Sequence, residues 1–260
     1  MGQSKRNLLR FLSQNPKCCF CGGDRPASTQ DHWPPRAIFH SRRWPEGFVF
    51  PACLECNGAS RKSEKIMATI LYSDNDDQDN QRFKKNLESV ARDYPDLLSS
   101  MLPKNANEIR KTIKEHGIEK PKGLAFADLP IIKLERNFWT EHVQIFAKKM
   151  LLALHYQCFG VPLSHNGAIW IYHYTNFDLI ADRVPESIFR LPENVVIPMR
   201  QKTLLDHQFS LKWGHIKGTK TGLFVMHFHN KFMICGITTE EPEKLSISND
   251  FAPVKPFDWR

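Results

Sequence analysis

Two Cys-x-x-Cys pairs, Cys18–Cys21 and Cys53–Cys56, frame the N-terminal quarter of this chain and restrict its fold more than any other feature. Two thiolates two residues apart on a tight knuckle can share one tetrahedral ion at about 2.3 Å each. Gly22 and Gly23 follow the first pair, where such a knuckle needs a backbone that glycine tolerates best. The stretch between the pairs, residues 22–52, is rich in Gly and Pro and too small to fold on its own apolar core, so a shared ion would supply much of its folding free energy. The spacing predicts a structural Zn²⁺ held by Cys18, Cys21, Cys53 and Cys56. Cys19 could stand in for Cys18, although the spacing favours Cys18. The competing reading is a set of merely buried cysteines. Cys158 and Cys235 lie in apolar helix and strand text and read as core.

Charge points to a partner. Of the net charge of +8, six units fall in residues 1–65, where eleven Lys and Arg face five Asp and Glu. A cationic module suits a polyanion, because phosphate contacts and counterion release reward clustered cations; a plain soluble basic surface is the alternative. No N-terminal apolar run resembles a signal peptide. The most apolar long window, 143–161, carries Lys148, Lys149 and His155, which a lipid-facing helix would not. The expectation is a cytoplasmic protein whose cysteines stay reduced and bind metal rather than pair.

The pattern predicts a short helix over 4–13, strands and turns from 17 to about 59, and helical text over 54–71. A polar run at 73–81 marks a boundary. Helices are expected at about 82–93, 96–102 and 106–116, then a Gly/Pro loop at 116–123. The clearest helix is 138–159, with Val143, Phe146, Met150, Ala153, Leu154 and Phe159 at helical spacing and Gly160 and Pro162 to stop it. Beyond it the period becomes alternating: GAIWIYHYT, VVIPM, QFSLKWGHI, GLFVMHFH and KFMICGIT read as strands, the last three as an antiparallel meander. The fold class is α+β, divided as 1–72, a helical connector at 73–120, and an α+β domain at 121–260.

Between the knuckles stands Gln30-Asp31-His32-Trp33-Pro34-Pro35, and Asn57 follows the second pair directly. Over residues 17–66 this resembles the HNH endonuclease family, whose zinc-stapled members read CxxC, then DH with Pro close behind, then CxxCN. The resemblance implies a ββα-metal module: two strands and a helix around one divalent ion, Mg²⁺, Mn²⁺ or Ni²⁺. It assigns His32 as the general base, Asp31 and Asn57 as ligands of the divalent ion, and phosphodiester hydrolysis of nucleic acid, DNA ahead of RNA, as the activity. Imidazole suits the base role and a hard cation suits the developing phosphorane charge. Such fusions resemble bacterial mobile-element or phage-defence nucleases. Two positions depart from the pattern: Phe48 stands where the family has its middle Asn, and Ser60 where it often has Lys. Adjacent residues on a strand point to opposite faces, so a bulge or twist is expected to bring both Asp31 and His32 to the metal cleft.

Glu64 lies near the Asn57 face of its helix and is either a further ligand or a solvated charge. Arg36, Arg61 and Lys62, with Arg42 and Arg43, either contact phosphates or are plain surface. His40 reads as a loop residue. His227 and His229 alternate on one strand, as metal ligands or as the polar face of a half-buried sheet. His173 and His215 could line a cleft. The alternative for the whole chain is a non-catalytic zinc module that binds nucleic acid.

Overall fold

The structure, a computed structural model, describes residues 3–72, 77–96, 103, 105–115, 125, 136–190, 194–229, 231–247 and 252–259. Helix α1 (Gln3–Gln14) leads into the first knuckle, and strand β1 (Thr29–His32) pairs antiparallel with β2 (Val49–Ala52), with Asp31 opposite Phe50 and His32 opposite Val49. Helix α2 (Leu54–Ala59) starts at once from Cys53, whose sulfur accepts the Cys56 N–H as an N-cap. At Ser60 the helical run breaks and resumes as α3 (Arg61–Leu71), which buries Ser63, Ile66, Met67, Ala68 and Leu71.

Helix α4 (Asp77–Asp93) begins inside the polar run, five residues before the expected start at 82, because Asp and Gln suit a first helical turn as well as a loop. Helix α5 (Ala106–Glu115) follows. The expected helix at 96–102 and loop at 116–123 lie outside the described residues, apart from Asp96.

Helix α6 (Arg136–Phe159) is the spine of the molecule. Ile145, Ala147, Leu151 and Leu152 are buried as well as Val143, Phe146, Met150, Ala153 and Leu154 of its apolar stripe, so it is enclosed nearly all round over this stretch. One side meets α3; the other packs on a five-stranded antiparallel sheet of order β3-β9-β8-β7-β4. These strands are β3 (Ala168–Thr175), β4 (Asn194–Val196), β7 (Phe209–Ile216), β8 (Thr221–Phe228) and β9 (Phe232–Thr239), with β7–β8–β9 the expected meander. Helix and sheet approach closely at Gly236, where a Cβ would overlap the Leu151 side chain. Short helices α7 (Asn176–Ile180) and α8 (Glu186–Arg190) cover the far face, over Val184, Val225, Met233 and Cys235. Between β4 and β7 a small hairpin, β5 (Met199–Arg200) with β6 (Thr203–Leu204), reaches back to the N-terminal region: Glu46 N–H donates to the Met199 carbonyl at 2.9 Å. One hydrophobic cluster runs without a break from Cys18 and Trp33 through α6 to Phe224 and Ile234. The molecule is thus a mixed α and β protein with antiparallel sheets, and among the described residues no helix is long and apolar enough to cross a membrane.

Candidate metal centre and the His32 face

The sulfurs of Cys18, Cys21, Cys53 and Cys56 all lie within 4.8 Å of one another and are buried. Local backbone geometry brings them together. After Cys21 the chain turns through Gly22 (φ +65°) and Gly23 (φ +83°), and Gly23 N–H returns to the Cys18 carbonyl. Phe20 N–H donates to Cys18 Sγ and Cys56 N–H to Cys53 Sγ, both at 3.4 Å, so the turns themselves orient the sulfur lone pairs. A hydrogen bond from Cys56 draws the Cys18 thiol down to about 5, so this cluster presents a thiolate at neutral pH. Four converging sulfurs with N–H donors behind them fit a tetrahedral ion such as zinc. Cys19 is a separate core residue, its thiol pushed well up by burial, which resolves the choice in favour of Cys18. Cys235 lies beneath the sheet, as expected.

The hairpin that the cysteines clamp is regular at Asp31 and His32, and the two side chains leave it on opposite faces. Asp31 turns inward. Its Oδ1 accepts the His32 backbone N–H at 2.9 Å, and its Oδ2 accepts Trp33 Nε1–H at 3.1 Å and the Lys149 ammonium at 2.7 Å. Lys149, from α6, has a fully buried side chain and also donates to Ser60 Oγ at 2.7 Å. Ser60 in turn donates to Glu64, whose carboxyl is pushed up by burial and lies 3.7 Å from Lys149. Ser60 marks the departure from the family's usual lysine, and a lysine ammonium reaches it from another helix. Asn57 uses its amide on Thr29 Oγ1 at 3.4 Å. No hydrogen bond or ion pair joins Asp31, the His32 ring and Asn57 among the described residues.

His32 turns to the other face. Its ring meets Trp44 edge-on with centroids 4.9 Å apart, and Arg36 donates to Nε2 at 2.5 Å. Trp44 is flanked by two guanidiniums, Arg36 at 3.6 Å and Arg200 at 4.2 Å from the ring centre. Burial first, then the Arg36 charge, lowers the His32 pKa to about 4, so the imidazole is neutral at pH 7. The Phe48 carbonyl accepts the Trp33 N–H at 3.4 Å, and Phe48 itself packs on Phe209, so His32 is oriented by Trp44 and Arg36 rather than from the Phe48 position.

Arg61 and Lys62 are exposed on α3, and Lys62 leans over the Tyr94 ring at 5.5 Å, away from the contacts of His32. His40 packs against Tyr72 and His229, and its N–H donates to Gln208. His227 and His229 do not share a face: β8 ends at Phe228, and His229, at φ +51°, folds under to bond the Ile38 carbonyl at 2.6 Å. His215 stacks on Trp213 and lines an open cavity of about 820 Å³, whereas His173 packs near Phe232. Sequence reasoning missed Lys149, Trp44 and Arg200, because nothing local in the sequence marks Lys149 as a neighbour of Asp31, Trp44 as a neighbour of His32 or Arg200 as a neighbour of Trp44.

Fold and site together define a mixed α and β protein with a buried four-cysteine centre able to hold a metal ion such as zinc. No family model matches the chain, and neither a curated protein nor a solved structure does.

Proposed function

We propose that the N-terminal module is an HNH-type phosphodiesterase of nucleic acid, DNA ahead of RNA, in which His32 is the general base. The observation that carries this reading is a neutral imidazole beside crowded arginines. Burial, then the Arg42 and Arg200 charges, disfavours the charged form of Arg36, and the Arg36 Nε–H is buried with no hydrogen-bond partner among the described residues. A phosphate relieves both conditions, because its oxygens accept the guanidinium donors and neutralise the crowding. Drawing Arg36 onto the phosphate also uncovers the lone pair on His32 Nε2. A water then attacks phosphorus, its proton passes to Nε2, and the bond to the leaving sugar oxygen breaks as that oxygen takes a proton from solvent, with the guanidiniums opposing the charge that builds on the phosphoryl oxygens.

The divalent ion that the resemblance implies fits poorly. Asp31 and Asn57 would hold it, yet Asp31 is engaged by Lys149 and Trp33, and Asn57 by Thr29. No step is routed through it. The same observation favours a second reading, a zinc module that binds nucleic acid without cutting it. Supercoiled plasmid incubated with the zinc-loaded protein, with Mg²⁺ or Mn²⁺ or with no added ion, separates the two. Nicked or linear product supports the phosphodiesterase; binding without product under every condition, on DNA and on RNA, supports the binder.

A further inference from the structure

We propose that the Lys149 ammonium is the resident cation of the Asp31–Ser60–Glu64 pocket and closes Asp31 to a divalent ion. The pocket has the donor set expected around a small cation: a carboxylate at 2.7 Å, a hydroxyl at 2.7 Å and a second carboxylate at 3.7 Å. The faces of Phe20 and Trp33, at 5.0 and 4.8 Å, close the remaining sides with π-electron density that favours positive charge. A lysine side chain with no solvent exposure persists only if its charge is matched, and these groups match it. Among the described residues, the four cysteines form the sole group of three or more His, Cys, Asp or Glu close enough to hold a metal.

The ammonium does for Asp31 what a metal would do for a ligand: it fixes the carboxylate. Held in place, Asp31 accepts the His32 backbone N–H and the Trp33 indole N–H, which sets the strand end from which the His32 ring projects. Helix α6, from the second half of the chain, is therefore a structural part of the His32 face. Asp31 is then closed to Mg²⁺ or Mn²⁺, since a dication would have to displace the buried ammonium that holds its Oδ2 at 2.7 Å.

Mn²⁺ binding to the zinc-loaded full chain, read by electron paramagnetic resonance, tests this without reference to cleavage, so its failure and that of the phosphodiesterase reading are distinct. Wild type should leave stoichiometric Mn²⁺ free. Lys149→Met should bind one equivalent, and its thermal midpoint should rise by roughly 5–10 °C when Mn²⁺ reaches about a hundred times its Kd. Lys149→Met/Asp31→Asn should bind none. Uptake of one Mn²⁺ by wild type, abolished by Asp31→Asn, overturns the proposal, as does a folded Lys149→Met that binds no Mn²⁺. Should Lys149→Met fail to fold, the wild-type titration still decides, and recovery of folded protein in the double variant, which carries neither charge, supports the pairing.

Discussion

Lys149→Met removes one half of a buried ion pair and leaves Asp31 and Glu64 close together without a cation. Deleting one partner of such a pair costs about 3–5 kcal/mol, because the remaining charge stays desolvated. For a chain of this length that lowers the thermal midpoint by roughly 6–20 °C. The loss should depend on pH in a defined sense. Burial already pushes the Glu64 carboxyl up, and loss of the Lys149 charge that opposes this raises it further above its unfolded value. A raised folded pKa contributes stability below the unfolded value that is lost as pH climbs through the folded one, so the deficit should shrink as pH falls from about 7 towards the ordinary carboxylate range near about 4. In Asp31→Asn/Lys149→Met the amide oxygen still accepts Trp33 Nε1–H, and no unmatched charge remains between the pair. The double variant should therefore recover most of the loss. Urea unfolding of zinc-loaded protein, followed by tryptophan fluorescence with Trp33 fully buried, measures all four corners of the cycle. If the double variant loses the sum of the single losses to within about 0.5 kcal/mol, the two residues are independent and the reasoning fails.

Protein purified without chelator should carry near one equivalent of zinc, and Cys53→Ser/Cys56→Ser should lose it; elemental analysis showing equal zinc in both would remove the four-cysteine assignment. Nucleic-acid affinity should fall steeply between about 50 and 200 mM salt, and Arg200→Ala should flatten that slope by about one phosphate contact; salt-insensitive binding contradicts the arginine face. His155 and His229 are buried and lowered to about 4, chiefly by burial, so they stay neutral when folded while the unfolded chain takes up protons. Stability should drop as pH falls from about 6.5 towards 4, by up to about 3 kcal/mol for each; His155→Gln should show a shallower acid decline than wild type, and parallel curves would sink the assignment.

The cysteine knuckles, α6 and the β7–β8–β9 meander were legible in the sequence, because each is written in local spacing: CxxC, a helical stripe ended by Gly160, or alternation; the β1–β2 pairing was expected only through the family resemblance. The bulge or twist expected to bring Asp31 and His32 to one cleft is absent, because the β1–β2 register is regular at both, and what each side chain meets was not legible in the sequence. Lys149 reads in sequence only as a charge interrupting an apolar helix, and its meaning comes from α6 lying against Ser60 and Asp31. Arg200 sits on a two-residue strand that no periodicity marks, delivered to Trp44 by contacts with Glu46. His229 misled because a strand pattern continued one residue beyond the real strand end.

The most direct test of the account is the cleavage rate of His32→Ala, measured beside wild type with zinc content and nucleic-acid binding matched. His32 touches neither the four sulfurs nor the Asp31–Lys149 pair through its ring, so its truncation should leave zinc and affinity nearly unchanged. Removing a general base costs about 10²–10⁴ in rate, and cleavage should fall by that factor. Equal cleavage by wild type and His32→Ala would place the chemistry elsewhere and contradict the account.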